Sequence, residues 1–345
     1  MPTIRRALFC ASLLVSAAAT PAEKDHLVDG KLARTMAEEI HAVLSTDALP
    51  PRSRAEFDAA LAALRQAASA ERVSEKLLHA RVNRLLGTID SDGHTHLIPR
   101  QRMEAAHQPF DPASRPAAAA PAYTLTLEDA TVLVIAPPPT TTQGGRNIVQ
   151  AADAFLDAVR TAAGARDACA LVVDLSGQTG GNAWPGIASL ADLVTPANTA
   201  QVETRDGKRG ALTQLGDVEY YTMQLRDENR QLLSRFRELP FAVVVSRNTS
   251  SAGEMIGILL KGEPRSRVFG WPTGGYTTVN RTVTLATGDA LAVSVARYAF
   301  DGQPAIRGSF VPDVAFAPGD AKDAPLRQAA AWARAQSCAR VQRKG

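Results

Sequence analysis

The sequence predicts an α/β protein, a mostly parallel sheet packed with helices and preceded by a small N-terminal helical bundle. Two observations lead there. From Tyr123 onward, short apolar runs alternate with amphipathic helical patterns, as in a parallel sheet with crossover helices. Before that, residues 23 to about 88 carry helical periodicity alone. The length of 345 residues suffices for one large domain or two modest ones. With 45% hydrophobic and 21% charged residues, the composition is that of a globular chain and disfavours disorder or a coiled-coil rod.

The first 22 residues read as a secretory signal peptide, with an uncleaved anchor as the alternative. Arg5 and Arg6 supply the positive start and Ala7 to Val15 the apolar run. Ala17-Ala18-Ala19 or Thr20-Pro21-Ala22 offers small residues for cleavage. No later segment reaches about 18 unbroken apolar residues, so no membrane span is expected in the mature chain. The formal charge of +3 includes Arg5 and Arg6, and without them it falls to +1. A nearly neutral chain gives no electrostatic case for nucleic acid. Cys10 would leave with the signal. An exported compartment would permit a disulfide between Cys169 and Cys338, and two buried thiols remain equally open.

Residues 23–99 form the helical part. Leu32, Met36, Ile40 and Leu44 recur at every fourth position, and Phe57 to Ala68 and Val73 to Leu86 repeat the pattern. Pro50-Pro51 separates the first helix from the second. The segment ends in a polar turn, Asp92-Gly93-His94-Thr95-His96. Residues 100–122 are rich in Ala and Pro and read as an extended, exposed linker.

Residues 123–345 form the α/β part. Strands are expected at Ala130–Ala136, Ala168–Leu175 and Phe241–Ser246. Helices are expected at Ile148–Ala163, from Ile187, and at Ala252–Leu260. Tyr276 to Ala299 reads as two antiparallel strands turning at Thr287-Gly288-Asp289. Ala324 to Val341 reads as a capping helix.

Three segments have the composition for chemistry. In the first, the apolar strand 241–246 runs through Thr249-Ser250 into Ser251-Ala252-Gly253-Glu254. A serine at a strand-to-helix turn is exposed at the end of the sheet. The Ala252 amide at the helix start is placed to meet an oxyanion while Ser251 attacks. The plainer alternative is a helix cap, with Glu254 completing a capping box. In the second, Asp174-Leu175-Ser176-Gly177-Gln178-Thr179-Gly180-Gly181-Asn182 ends a buried strand in a glycine turn. The turn lets backbone approach a ligand or simply closes a βα connection. In the third, His94 and His96 offer a base of near-neutral pKa or are surface histidines. In an extended segment both point to the same side. Phosphate-loop, dinucleotide and HExxH signatures are missing and no Cys/His cluster has zinc spacing, so no cofactor or metal is implied.

In this order the segments resemble peptidase family S41, which includes C-terminal processing proteases, tricorn core proteases and retinoid-binding-protein-like members. The family's Asp-Leu-Arg-x-Asn-x-Gly-Gly element matches Asp174 to Gly181, its Ser-Ala-x-Glu element matches Ser251 to Glu254, and its Pro-Asp element matches Pro312-Asp313. The resemblance covers roughly Leu77 to Val314. It implies a ClpP/crotonase-like core, Ser251 as nucleophile, and an oxyanion hole from Gly180 or Gly181 with Ala252. The processing proteases take their base from a lysine in a Phe-Gly-Lys-Gly turn. Here Gly270 to Tyr276 stands there without a lysine, and Lys261 looks like a surface residue. The tricorn-like members use an Asp-x-His element, which His94 matches, so His94 is the expected base and His96 the fallback.

Some features depart from the family. Ser176 replaces the usual Arg, Val311 the frequent Glu, and no PDZ domain fits between Pro99 and Tyr123. The carboxylate that would orient the histidine is open among Asp92, Asp301 and Asp313. The expected function is an exported serine peptidase acting on peptides or proteins. The alternative is an inactive relative that binds peptides or apolar ligands. A crotonase-type hydratase is a third class, disfavoured by Ser251-Ala252 at a helix start.

Overall fold

The computed structural model describes residues 25–89, 93–111, 121–128, 130–162, 165–214 and 218–341. The signal segment and Asp92 lie outside them.

The larger sheet has six strands: β4 (Ala122–Leu127), β5 (Ala130–Ile135), β6 (Ala170–Asp174), β9 (Phe241–Val245), β10 (Ser266–Gly270) and β13 (Val314–Ala315). Their order is β13-β10-β9-β6-β5-β4. All neighbours are parallel except β4, which pairs antiparallel with β5 at the edge. Burial on both faces explains the unbroken apolar runs of β6 and β9. Side chains alternate between two cores. Leu133, Ile135, Leu171, Val173, Val243 and Val245 meet α5 (Gly145–Thr161), α6 (Trp184–Leu190) and α9 (Ala252–Lys261). Val132, Val134, Val172 and Val244 meet Ala329, Ala330 and Ala333 of α10 (Ala324–Val341). A disulfide from Cys169 to Cys338 ties the start of β6 to α10, which settles the open pairing.

The smaller sheet is antiparallel: β11 (Thr278–Thr284), β12 (Ala290–Phe300), β7 (Ala200–Thr204) and β8 (Arg209–Ala211), with β3 (His96–Ile98) also paired to β12. The β11–β12 hairpin turns at Thr287-Gly288-Asp289, where the sequence placed it.

Three helices precede these sheets: α1 (Gly30–Thr46), α2 (Arg54–Ala68) and α3 (Glu75–Leu86). Asp29, Ser53 and Ser74 cap them by accepting from backbone amides of the first turn. Strands β1 (Leu27–Asp29) and β2 (Arg72–Ser74) join their ends. Their apolar stripes, including Met36, Ile40, Leu64 and Leu85, enclose one core together with Leu97, Leu285, Leu291 and Val293. The helices therefore share a core with β3 and the β11–β12 hairpin. His79 of α3 reaches Asp289 of the hairpin turn at 3.1 Å, and Asp289 also accepts from the Arg100 amide at 3.0 Å.

The segment expected to be an extended linker begins instead with helix α4 (Arg100–Ala106). Pro99 starts it, and the Arg100–Asp289 bond anchors its first amide. Residues 112–120 of that segment are outside the described set. Helices α7 (Val218–Gln224) and α8 (Asp227–Arg230) complete the chain between β8 and β9.

Candidate active site

Ser251 stands where β9 gives way to α9. The buried strand ends in a turn that Thr249 holds together, accepting from Ser246 N–H at 2.9 Å and donating to the Leu175 carbonyl at 2.7 Å. Ser250 N–H donates to the Gln178 carbonyl at 3.0 Å, so the serine turn and the glycine turn are stitched together. Ser251 itself adopts φ 51° and ψ −109°, a conformation that side-chain-bearing residues seldom take. Such strain persists only where surrounding structure imposes it.

Glu254 imposes it. Its carboxylate is fully buried and accepts from Ser251 N–H at 2.9 Å, from Gly275 N–H at 2.8 Å and from the Thr273 hydroxyl. Burial pushes its pKa above the usual range, against these bonds and one from the Tyr276 amide. The loop 270–276, which has no lysine, supplies Thr273, Gly275 and Tyr276 as partners of Glu254. It also places the Tyr276 ring edge-on to His94, centroids 5.6 Å apart.

His94 approaches from the other sheet. Its Nε2 is 2.9 Å from Ser251 Oγ, and its Nδ1 is 2.5 Å from Thr278 Oγ1 at the start of β11. Thr278 Oγ1 lies 3.0 Å from Ser294 Oγ. Ser294 donates to Asn280 Oδ1 at 3.0 Å, and Asn280 Nδ2 donates to the His94 carbonyl at 2.7 Å. With Nδ1 protonated and donating to Thr278, Nε2 turns its lone pair to the serine hydroxyl.

Gly180 and Gly181 have φ of 115° and 102°. A Cβ on Gly180 would stand 3.2 Å from Ser251 Cβ, and one on Gly181 would stand 2.2 Å from the Thr140 carbonyl oxygen. The positive φ at both positions, with Gly180 against Ser251 and Gly181 against Thr140, calls for glycine. The Gly180 amide donates to Gln178 Oε1 at 3.2 Å. Ala252 is the first residue of α9, where N–H groups have no intrahelical acceptor.

Ser251, His94, Gly180, Gly181 and Ala252 thus lie at one place. His96, Asp301 and Asp313 do not, and Asp92 is outside the described residues. His96 is exposed, with Nδ1 turned to the His94 carbonyl at 2.9 Å. The same-side expectation fails because His94 precedes the strand that begins at His96. Asp313 pairs with Lys261 and accepts from Val268 N–H at 2.8 Å, and Asp301 accepts from Gln201 at 3.4 Å. The sequence reading missed Thr278, Asn280 and Ser294. Their only signal was a run of small polar residues on strands otherwise read for their apolar content.

Comparison with known proteins bears on the family and the fold. The model of peptidase family S41 matches residues 141–316, half of the chain. A nisin-resistance protein of Lactococcus lactis subsp. lactis is 26% identical over 127 residues, 36% of this chain and 39% of that one. The chloroplastic carboxyl-terminal-processing peptidase 2 of Arabidopsis thaliana is 42% identical over 59 residues, 17% of this chain and 12% of that one. The matches therefore span well under half the length of either relative. A lipoprotein from Streptococcus agalactiae shares the fold with a TM-score of 0.66 at 19% identity, over 88% of this chain and 96% of that one. The chain belongs to peptidase family S41.

Proposed function

We propose that the protein is an exported serine peptidase in which Ser251 is the nucleophile and His94 the general base. The single observation that carries this is the 2.9 Å separation of His94 Nε2 from Ser251 Oγ. Ser251 Oγ attacks the substrate carbonyl as Nε2 takes its proton. The imidazolium then protonates the departing amine, leaving an acyl group on Oγ that water removes by the same route. Thr278 holds the imidazole in the required tautomer, the part a carboxylate plays in other serine hydrolases. Ala252 N–H and the Gly180–Gly181 turn receive the oxyanion. Because Gly180 N–H already has Gln178 Oε1 as acceptor, Gly181 is the favoured second donor.

Family membership and a relative named as a processing peptidase support a peptide or protein substrate. The contact between Ser251 and His94 favours this reading over a protein that only binds. The Cys169–Cys338 disulfide supports export to an oxidising compartment, with residues 1–22 as the signal. Among the described residues no helix is long and apolar enough to cross a membrane. The larger sheet with its helices reads as a crotonase-like core (123–345), and α1–α3 as a small helical bundle (23–99) closed by the hairpin.

The test is a fluorophosphonate probe together with a peptide library. Wild type is expected to label at Ser251 and to cleave, and Ser251→Ala to do neither. Unlabelled, inactive wild type across neutral and mildly acidic pH would defeat the proposal.

A further inference from the structure

At the amino-terminal end of the parallel sheet, away from Ser251, a cavity of about 350 Å³ opens between the last turn of α5, the turn before β6 and the segment before β9. Its place follows from strand direction. Ser251 and the glycine turn follow the carboxyl ends of β9 and β6. The cavity residues Arg166, Leu232, Leu233 and Arg235 precede the starts of those same strands. Leu133 of β5, also on the lining, lies beside Leu171, the second residue of β6. The five residues of β9, about 16 Å of extended chain, therefore separate the cavity from the nucleophile turn.

The lining divides by chemistry. Leu133, Val159 and Leu233 are buried and form an apolar floor. Arg166 and Arg235 are exposed at the mouth, and Arg160 is half-buried. These three guanidinium groups are the only polar side chains on the lining among the described residues. Their charge is thinly compensated. Arg235 donates through both Nη atoms to the carbonyls of Ala165 and Arg166 rather than to a carboxylate. Burial pulls its pKa down, opposed by the charge of Asp167. Arg166 has no carboxylate partner among the described residues. Arg160 pairs with Asp157, but Arg226 shares that carboxylate. The Nε of Arg160 is buried and meets no acceptor among the described residues.

We propose that this cavity is a second binding site, which takes a free aliphatic carboxylate of medium length, its tail on Leu133, Val159 and Leu233 and its head at Arg166 and Arg235. A guanidinium meets a carboxylate through paired N–H donors, more strongly than a neutral donor does. A bare inorganic anion would leave the apolar floor uncovered. A peptide segment would bring its amides against side chains that offer no acceptor. An uncharged chain would leave the guanidinium groups without a counter-charge. The cavity is of the size that small ligands occupy. The bound acid would tie α5 to the segment leading into β9. The site makes no use of Ser251 or His94, so it stands whether or not the serine cleaves peptides.

The experiment titrates the ¹⁵N-labelled wild-type chain with octanoate, 1-octanol, octylammonium and acetate, following arginine Nε–H signals alongside calorimetry. Octanoate is expected to bind saturably at a single site, about tenfold or more tighter than each of the other three. The Arg160, Arg166 and Arg235 signals should shift with it. Arg166→Gln should weaken octanoate about tenfold and leave octanol unchanged. Leu232→Glu, which sets a carboxylate on the lining, should abolish octanoate binding and admit octylammonium. Arg166 pairs with no carboxylate among the described residues, so its variant keeps the test alive if the second does not fold. Ac-Ala-Ala-Leu as the free acid distinguishes a free carboxylate from a chain terminus and should bind more weakly than octanoate. Octanol or acetate matching octanoate, a tighter peptide, indifference to Arg166→Gln, or no saturable binding overturns the site.

Discussion

The side-chain amide of Asn280 donates to the carbonyl oxygen of His94 over 2.7 Å, closing a ring that begins at the other end of the same residue. From His94 Nδ1 the ring runs through Thr278, Ser294 and Asn280 and back to the His94 backbone. The imidazole and its own peptide thus belong to one ring of hydrogen bonds.

Removing the hydroxyl from that ring should cost catalysis more than binding. Thr278→Val is expected to lower kcat by about ten- to a hundredfold with little change in KM, because the imidazole loses its orientation. Thr278→Ser, which keeps the hydroxyl, should restore most of the rate. Steady-state kinetics with ¹⁵N shifts of the His94 ring check this, since the ring shifts report the tautomer directly. Equal losses in Val and Ser variants would assign Thr278 to packing alone.

Glu254 should reveal itself through pH. Its folded pKa lies above the ordinary 4.5. The folded state therefore binds its proton more tightly than the unfolded chain, and stability falls as pH rises from about 4.5 through the folded value. Glu254→Gln should be less stable at acid pH, since its NH₂ faces groups that already donate. Its stability should decline less steeply than wild type over that window. Parallel denaturant titrations across pH measure the two slopes, and identical slopes would contradict the claim.

The contact of His79 with Asp289 predicts a different window. Asp289 raises the His79 pKa above 6.5 through its hydrogen bond and charge, opposed by burial. Burial pushes Asp289 upward, but bonds from His79, Thr287 and the Arg100 amide bring it below 3.8. Glu75 adds to the rise at His79 and Arg100 opposes it. What the histidine contributes is complete below about 6.5 and fades as pH climbs through the folded value. What Asp289 contributes fades as pH falls below about 4. His79→Ala should therefore cost most stability near pH 5, about 1–3 kcal/mol. The gap should narrow above neutrality, as thermal or urea unfolding will show.

Reduction of Cys169–Cys338 should loosen α10 from the sheet. The bond closes a separation of 169 residues, and its loss is expected to cost about 2–5 kcal/mol. Urea unfolding of Cys169→Ser/Cys338→Ser against wild type measures it. Labelling of Ser251 should survive in the folded variant, since neither cysteine contacts the site.

Much of the parallel sheet was legible because strands buried on both faces must be continuously apolar, as Phe241 to Val245 are. The strand-to-helix turn at Ser251 was legible because small polar residues part an apolar strand from an apolar helix, a pattern that reads as a helix cap as readily as a reactive serine. Strands β3, β7 and β8 were not. They are three to five residues long, mix polar with apolar side chains, and are held by pairing with their neighbours, β3 and β7 with β12 and β8 with β7, rather than by their own pattern. Glu254 looked like a routine helix-start residue, and its local role is that. Its further bonds to Thr273 and Gly275 arise from a loop some twenty residues away, which no local pattern encodes. Thr278 was hidden similarly, since alternation along β11 says which way a threonine faces and not which ring it meets.

His94 and Ser251 are 157 positions apart, and each hangs from a different sheet. The His94 imidazole stays in place only when the hairpin and the N-terminal helices have closed around Leu97. The hydroxyl is presented only when the parallel sheet has formed. A chain still emerging, threaded through a transport channel or half collapsed, holds both side chains and no pair. Under the proposed chemistry such a chain is harmless to its surroundings and to its own unfolded segments, with no inhibitory extension needed to keep it so.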